Sequence, residues 1–173
     1  HDRFAGLVRG VLRQNVGPSE VDDASQEVFL RLFRYVHTLR DRAALRSFVI
    51  GITIRVGMRA LRRRKLRSWL HLPGELPEPV QPCLDEAARG ALRRLHVMLD
   101  DLGAEARMLF VLRFIQQLEL TEIAAATGTS LATIKRKLKR VREVVAARAA
   151  ADPELSSYTR ASKPNAHGDA LAT

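Results

Sequence analysis

The stretch that decides the fold is LTEIAAATGTSLATIKRKLKR, residues 120–140. It has the features of a helix-turn-helix, which needs small residues where two helices cross, a glycine in the turn and apolar positions that fix the second helix. Ala124 and Ala125 are the small residues, and Gly128 is the turn glycine. The apolar positions are Ile123, Leu131, Ile134 and Leu138. The pattern therefore predicts a short helix, a tight turn and a long second helix that begins at Leu131.

The second helix of this motif is strongly basic on one side. On a helical wheel its inner face is apolar, with Ile134, Leu138, Val141 and Val145. The opposite face carries Ala132, Arg136, Lys139 and Arg140, with Lys135 on the flank. Long donors on such a face can reach base edges and phosphates. The alternative is a hairpin with a solvated face, but six basic residues within 135–142 favour DNA binding, because a solvated helix usually mixes signs.

The charge of the whole chain agrees with an anionic partner. Its 173 residues include 29 Lys and Arg against 19 Asp and Glu, a formal net charge of +10. Basic residues are in excess in 1–69 and 86–150, and 70–85 carries only acidic charges. This pattern indicates binding to nucleic acid or anionic lipid. The longest uncharged apolar stretch, 47–54, is far shorter than the roughly 20 residues that span a bilayer, so we expect no membrane insertion and a cytoplasmic protein.

Catalytic and metal chemistry find no support in the sequence. The single cysteine, Cys83, excludes a disulfide framework and a Cys-pair zinc site. The histidines have no metal-ligand spacing, and Glu119 and Glu122 lack a companion nucleophile or histidine. A Gly-rich phosphate cradle is also missing. We therefore expect a protein that is not an enzyme and that has no cofactor, no metal and no catalytic residue.

The rest of the chain is predicted to be helical. Residues 3–14 repeat apolar side chains at helical spacing, and Ser19 is the expected N-cap of the next helix. One face of that helix carries Val28, Phe29, Leu32, Phe33 and Val36. Residues 48–54 are β-branched and favour a strand by propensity. A longer window fits a helical stripe, and we predict a helix because no second strand is present to pair with this one.

The fold class is all-α, with two small helical domains joined by a Pro-rich linker, the second a helix-turn-helix domain. The linker breakers are Pro73, Gly74, Pro77, Pro79 and Pro82. We expect the first domain over 1–69, the linker over 70–85, the second domain over 86–150 and a loose tail over 151–173. The two domains are expected to fold independently at a variable spacing. Trp69 is expected to cap the core of the first domain, and the alternative is that it stacks on a base.

Two motifs in combination resemble a known family. DDASQEVFLRLF, residues 22–33, resembles region two of bacterial sigma factors, and 102–145 resembles region four. With only the linker between them, the chain is similar over 3–148 to the extracytoplasmic-function (ECF) group, the most compact sigma factors. The resemblance implies a subunit that binds core RNA polymerase, directs it to the promoters of a specific regulon and helps to melt the DNA. It also implies an anti-sigma partner.

The resemblance assigns three sets of residues. A polar face of Asp23, Gln26, Glu27 and Arg31 would bind the clamp helices of core polymerase. This agrees with the residue chemistry, since an Asp/Gln/Glu face suits basic side chains better than DNA. The minus-ten element of promoter DNA would be met by Arg40 and by the phosphate-tracking Arg55, Arg59, Arg62 and Arg63, followed by Arg64. The minus-thirty-five element would be read by Thr133, Lys135, Arg136, Lys139 and Arg140.

The chain also departs from the family pattern. The family usually has Trp at the position of Phe48, and often Arg and Asn where this chain has Gly51 and Arg55. That Asn lies near the captured single-stranded base, so promoter melting is the assignment with least support. His1 falls inside the family's first helix, and we expect a preceding segment.

Two other functions compete with this interpretation. One is a stand-alone helix-turn-helix regulator that does not need core polymerase, although such a regulator would not need the polar face at Asp23 and Gln26. The other is a basic helical protein on anionic membranes, which leaves the helix-turn-helix spacing unexplained.

Overall fold

The computed structural model describes residues 2–70, 86–153 and 155–156. All regular structure in these ranges is helical, which confirms the all-α fold class. The main helices are α1 (Asp2–Arg13), α2 (Val21–Tyr35), α3 (Leu45–Trp69), α4 (Glu86–Asp101), α5 (Ala104–Phe110), α6 (Leu120–Thr127) and α7 (Leu131–Ala151). A π-helical turn, Val111–Ile115, continues α5. Of the predicted linker, 70–85, only Leu70 is described, and residues 71–85 lie outside the described ranges.

The first half is a three-helix unit of α1, α2 and α3. Its core includes Val8 and Leu12 of α1, Val28 of α2, and Val49 and Val56 of α3. The β-branched stretch therefore belongs to a helix, as predicted. The polar side chain within this stretch, Thr53, is satisfied because its hydroxyl donates to the carbonyl oxygen of Val49 at 2.9 Å.

The two ends of α2 differ from the prediction. Ser19 does not cap the helix, because Pro18–Glu20 forms a 3₁₀ turn and α2 begins at Val21, with no side-chain cap. Proline suits the first position of such a turn, since its missing N–H would have no partner there. At the other end Phe33 is 64% exposed, and Val36 is exposed as well. The buried residues of α2 end at Phe29, so its last turns lie beyond the core of this unit.

A second core joins the two halves of the chain. Val11 of α1 and two residues of α3, Ile50 and Leu61, are buried together with the apolar faces of the second half. The second half contributes Met108, Leu109, Leu112, Leu118, Ile123, Ile134 and Leu138. The expectation of independent, variably spaced domains is therefore wrong for this structure. Helical periodicity identifies the apolar face of each helix, but it does not identify the helix against which that face packs.

A buried guanidinium also lies between the halves. Arg107 is 1% exposed and donates to the carboxylate of Asp100 at 2.8 Å, to the backbone carbonyl of His96 at 3.0 Å and to that of Gln14. Arg64 of α3 donates to the same carboxylate. Burial lowers the pKa of Arg107 to about 10, against the opposing effect of Asp100. These three acceptors stabilise the buried cation, which ties the end of α1 to α4 and α5, while its Nε–H has no acceptor among the described residues.

Two further expectations fail at the ends of the halves. Trp69 is 80% exposed and does not cap the first core, since α3 continues past that core at its C-terminal end. The first residues of the predicted loose tail are packed. Leu155 is buried, and Asp152 accepts a hydrogen bond from Arg94 of α4 at 3.1 Å.

The shared core predicts one cooperative unfolding transition. Ile50→Ala in α3 and Leu112→Ala after α5 should each lower the free energy of unfolding by about 2–5 kcal/mol, because each leaves a cavity in the same cluster. Urea unfolding followed by circular dichroism should show a single transition that both variants shift. The exposed Val97→Ala is the control and should change stability by less than about 0.5 kcal/mol. Two transitions, each sensitive to one variant only, would contradict the shared core.

Candidate nucleic-acid interface

The turn between α6 and α7 sets the direction of the basic helix. Gly128 ends α6 at φ 64°, a left-handed conformation that glycine adopts without a Cβ penalty. Ser130 then caps α7, and its hydroxyl accepts the backbone N–H of Thr133 at 3.3 Å. The inner face of α7 is buried at Ile134, Leu138 and Val141. The predicted helix-turn-helix is therefore present, and its second helix is fixed at both its start and its inner face.

The opposite face of α7 is available to a ligand. Lys135, Arg136, Lys139 and Arg140 are exposed, and Thr133 is half-buried at the first turn. Among the described residues, Lys135, Arg136 and Arg140 take part in no ion pair, and Lys139 lies 4.0 Å from Glu143. Lys137 differs because its ammonium is 2.6 Å from the carboxylate of Glu105 on α5. The structure thus brings the residues predicted to read the minus-thirty-five element together on one solvent-facing surface.

The polar face of α2 is partly engaged within the protein. Asp23 and Gln26 are exposed, and within the described ranges Asp23 forms no ion pair. Glu27 accepts from Arg31 at 2.6 Å and from Arg59 of α3 at 3.0 Å. The four predicted residues share one helix, but only the first two point freely into solvent.

The arginines of α3 separate into free and engaged groups. Arg55, Arg62 and Arg63 are exposed, as is Arg40 in the segment before α3. Arg59 is held by Glu27, so one residue of the predicted minus-ten set contacts the predicted polymerase set. Arg64 is turned inward to Asp100 and cannot track a DNA phosphate from there.

The helix-turn-helix packs directly on α3, a contact that the sequence reasoning missed. The guanidinium of Arg46 donates to Glu122 of α6 at 2.5 Å, and the backbone N–H of Glu119 donates to Glu122 at 3.0 Å. Burial raises the pKa of Glu122, but these two hydrogen bonds outweigh burial, so its pKa lies below the ordinary value. The sequence contained one indication that Glu122 has a structural role. This was its spacing from Glu119, with which it forms a capping box on α6.

In the ranges that the structure describes, no three His, Cys, Asp or Glu side chains form a group that could hold a metal ion. The helices of those same ranges include none that is long and apolar enough to cross a bilayer.

The second half is a helix-turn-helix with an exposed basic face, and the first half is a helical unit with an arginine-rich helix and a polar face. This combination is typical of a transcription factor that binds DNA. The chain matches the family profiles for sigma-70 region 2 over residues 1–67 and sigma-70 region 4 over residues 92–144. It is 32% identical over 122 residues to the ferric citrate uptake sigma factor FecI of Escherichia coli, covering 68% of this chain and 69% of FecI. It is 31% identical to the sigma-E factor of Streptomyces coelicolor, covering 84% and 83% of the two chains.

Two solved structures share the fold, and the second of them is a sigma factor. CnrH, solved in complex with the cytosolic domain of CnrY, aligns with a TM-score of 0.62 at 21% identity, covering 87% of this chain and 85% of CnrH. RpoE from Bartonella quintana, solved with the anti-sigma factor NepR, also has a TM-score of 0.62, at 16% identity over 83% of this chain and 89% of RpoE. The chain belongs to the sigma-70 family, in its ECF group. It is a promoter-specific sigma factor that binds core RNA polymerase.

The ion pair of Glu122 predicts a pH-dependent contribution to stability. Because the folded pKa of Glu122 lies below the value of 4.5 that applies when the chain is unfolded, its contribution is full above pH 4.5 and is lost as the pH falls through the folded pKa. Glu122→Gln should lower the free energy of unfolding at neutral pH by about 0.2–1 kcal/mol and keep the capping geometry.

Urea unfolding of both proteins from neutral pH down to about pH 3 measures this difference, which should shrink to zero at the acid end. Glu143→Gln, on the exposed side of α7, is the control and should alter stability by less than about 0.5 kcal/mol. A difference that persists unchanged in acid would assign the effect to packing instead of charge.

Proposed function

We propose that this sigma factor divides promoter recognition between its two halves. In this proposal α7 reads the minus-thirty-five element, α3 with Arg40 binds the minus-ten element, and the α2 face binds core polymerase. The residue ranges are 1–69 for the first domain, 70–85 for the linker, 86–150 for the second domain and 151–173 for the tail. The observation that carries the proposal is the solvent-facing basic surface of α7, whose opposite face is buried.

The chemistry of α7 suits sequence reading. Arginine and lysine donate to the O6 and N7 atoms of guanine in the major groove, and a helix with a fixed inner face presents such side chains at defined positions. Arg136 and Lys139 lie opposite the buried Ile134 and Leu138. Lys135 and Arg140 lie to the sides, where phosphates of the groove walls would meet them. Thr133, next to the cap, would meet the edge of the groove.

The chemistry of α3 suits phosphate binding. Arg55, Arg62 and Arg63 are exposed along one helix, and their charge has no internal partner in the described ranges. Arg59 would join them when Glu27 exchanges it for another cation. Such contacts supply affinity and register without base specificity.

The start of the α2 face, at Asp23 and Gln26, suits a basic protein partner. Asp23 and Gln26 present a free carboxylate and a free amide, so they would make the direct contacts with the clamp helices. Glu27 and Arg31 are paired with each other and would hold the shape of the surface. We also propose that the protein is not an enzyme and acts in the cytoplasm, where polymerase and DNA are located. An anti-sigma partner is supported by CnrH and RpoE, whose structures were solved in complexes with CnrY and the anti-sigma factor NepR.

Charge reversal at Asp23 tests the polymerase face. Asp23→Lys should weaken binding to core polymerase at least tenfold, because it removes a free carboxylate and places like charges together. Glu86→Lys is the matched control, since it makes the same change of net charge at an exposed position on another helix, α4. The affinities are measured by titrating labelled protein with purified core polymerase. Equal affinities for the two variants would reject the α2 assignment.

Truncation of the α7 side chains tests base reading. Arg136→Ala and Lys139→Ala should each cost the holoenzyme about 1–3 kcal/mol of binding to its selected promoter and relax preference at particular positions. Lys137→Ala is the control with a smaller effect, because Glu105 already holds that ammonium. The holoenzyme is titrated against two promoter duplexes, a selected one and one with a scrambled minus-thirty-five element, at several salt concentrations. If both variants weaken the two duplexes equally, α7 is an electrostatic clamp and does not read bases.

A further inference from the structure

The C-terminal end of α3 exposes three large apolar side chains. Leu66 is 60% exposed, Trp69 80% and Leu70 59%. Exposed apolar residues that form one patch mark an interaction site, whereas single exposed ones need no explanation. We call these three residues the aromatic end of α3. Among the described residues, the buried apolar side chains of α3 end at Leu61, so the cores of the protein do not account for this patch.

The aromatic end continues the exposed arginine face of α3. At about 100° per residue, Leu66 follows Arg62 by one turn and Trp69 follows it by two, so the three share one face. Arg55 lies two turns before Arg62 on the same face, and both arginines are exposed. One face of α3 therefore changes from cationic to aromatic toward its C-terminal end, over about 20 Å from Arg55 to Trp69.

Two further cations lie beside the aromatic end. Arg63 and Lys65 are exposed, and on a helical wheel they flank Leu66 and Trp69 from opposite sides. The ion pairs that α3 forms among the described residues use other side chains, Arg46, Arg59, Arg64 and Arg67. The charges of Arg63 and Lys65 are thus available to an anionic ligand.

The surrounding charge distinguishes this patch from the exposed apolar residues of α2. Leu30, 70% exposed, follows Gln26 by one turn on the face proposed to bind a basic protein. Trp69 instead lies among arginine and lysine side chains, which complement a negative ligand. Because the cations run in a line along the helix toward Trp69, the face suits an elongated polyanion, and DNA is already the proposed ligand of its arginines.

An exposed aromatic ring beside a line of cations is suited to a single strand of nucleic acid. The cations bind the phosphates, and an unpaired base stacks on the face of the ring. A base inside a duplex is already stacked on its neighbours, and taking it out of the stack costs free energy. Leu66 and Leu70 would border the ring and exclude water from the stacked base.

We propose that Trp69 is a stacking site for an unpaired base of promoter DNA, whose strand the arginines of α3 hold by its phosphates. This inference rests on the proposed role of α3 at the minus-ten element. The site lies about 20 Å along α3 from position 55, near which the family resemblance places a captured base, so it is a second base site. Because it binds only unpaired bases, it shifts the equilibrium of the promoter toward the melted form.

The fluorescence of the parent chain tests the contact directly, because Trp69 is its only tryptophan. The full chain is titrated with a single-stranded oligodeoxynucleotide and with an abasic strand of equal length, which has the same phosphates but no bases. Both strands should bind, and only the strand with bases should quench the emission of Trp69. The matching duplex should quench it much less, since its bases are paired.

Substitutions separate stacking from charge, with affinities measured by the anisotropy of labelled strands. Trp69→Ala should weaken binding of the strand with bases about fivefold or more, in the range of one base–aromatic stack, and leave the abasic strand unchanged. Trp69→Phe should keep most of the affinity, because a phenyl ring also stacks. Val97→Ala removes an exposed apolar side chain from α4 and is the matched control, which should bind as the parent does. Helical circular dichroism checks that each variant is folded.

Several results would overturn the stacking site. One is equal quenching by the two strands, and another is equal affinity of Trp69→Ala and Val97→Ala for the strand with bases. Binding to core polymerase and to phosphatidylglycerol vesicles is measured for the same variants. If Trp69→Ala weakens one of these and leaves the oligonucleotide affinity unchanged, the aromatic end belongs to a protein or a membrane contact.

Arg62→Ala separates this inference from the proposed function. It should weaken binding of both strands, because it removes a phosphate contact. If Arg62→Ala does so while Trp69→Ala has no effect, α3 binds DNA as proposed and the stacking site fails. If Arg62→Ala binds both strands as the parent does, the proposed phosphate role of this arginine fails, and the base-dependent effect of Trp69→Ala still decides the stacking site.

Discussion

The packing of α6 on α3 is the contact on which the rest of the structure depends. Gly51 lets the Ala126 carbonyl approach, and the apolar residues around this point merge the two halves into a shared core. The direction of α7 follows from this contact, because α7 is joined to α6 by a three-residue turn and covers Ile123 with its own apolar face. The basic surface of α7 consequently faces solvent on the side away from the shared core.

The sequence predicted the elements that depend on local interactions. The bounds of α7 follow from a serine cap, a turn glycine and an apolar stripe, all of which act within a few residues. The helix over 48–54 was predicted correctly, because the apolar period of the longer segment outweighs β-branched propensity. The candidate DNA-reading surface was accessible to this reasoning for the same reason, since it is the complement of a buried face on one helix.

The features that the sequence did not predict depend on contacts between distant segments. Phe33 and Trp69 continue apolar patterns past the point where a neighbouring helix covers them, and periodicity alone carries no information about that point. Arg64 and Arg107 resemble the other basic residues in sequence, although their shared contact with Asp100 makes them structural. The docked halves were missed because no local signal distinguishes Gly51 from Gly6, and only the presence of α6 gives the former its role.

The shared carboxylate of Glu27 has a consequence for association rates. It neutralises one of the two guanidinium groups that surround it, so the middle of the α2 face is positive despite its acidic sequence. Asp22 is compensated as well, by Arg9 at 3.3 Å, which leaves Asp23 as the uncompensated carboxylate of this face among the described residues. The field of one charge decays within a Debye length of about 8 Å at physiological ionic strength. On the proposed assignment, encounter with polymerase through this face would be governed by short-range fit, with an association rate that salt changes little. Encounter of α7 with DNA would be steered by charge and would slow as salt rises.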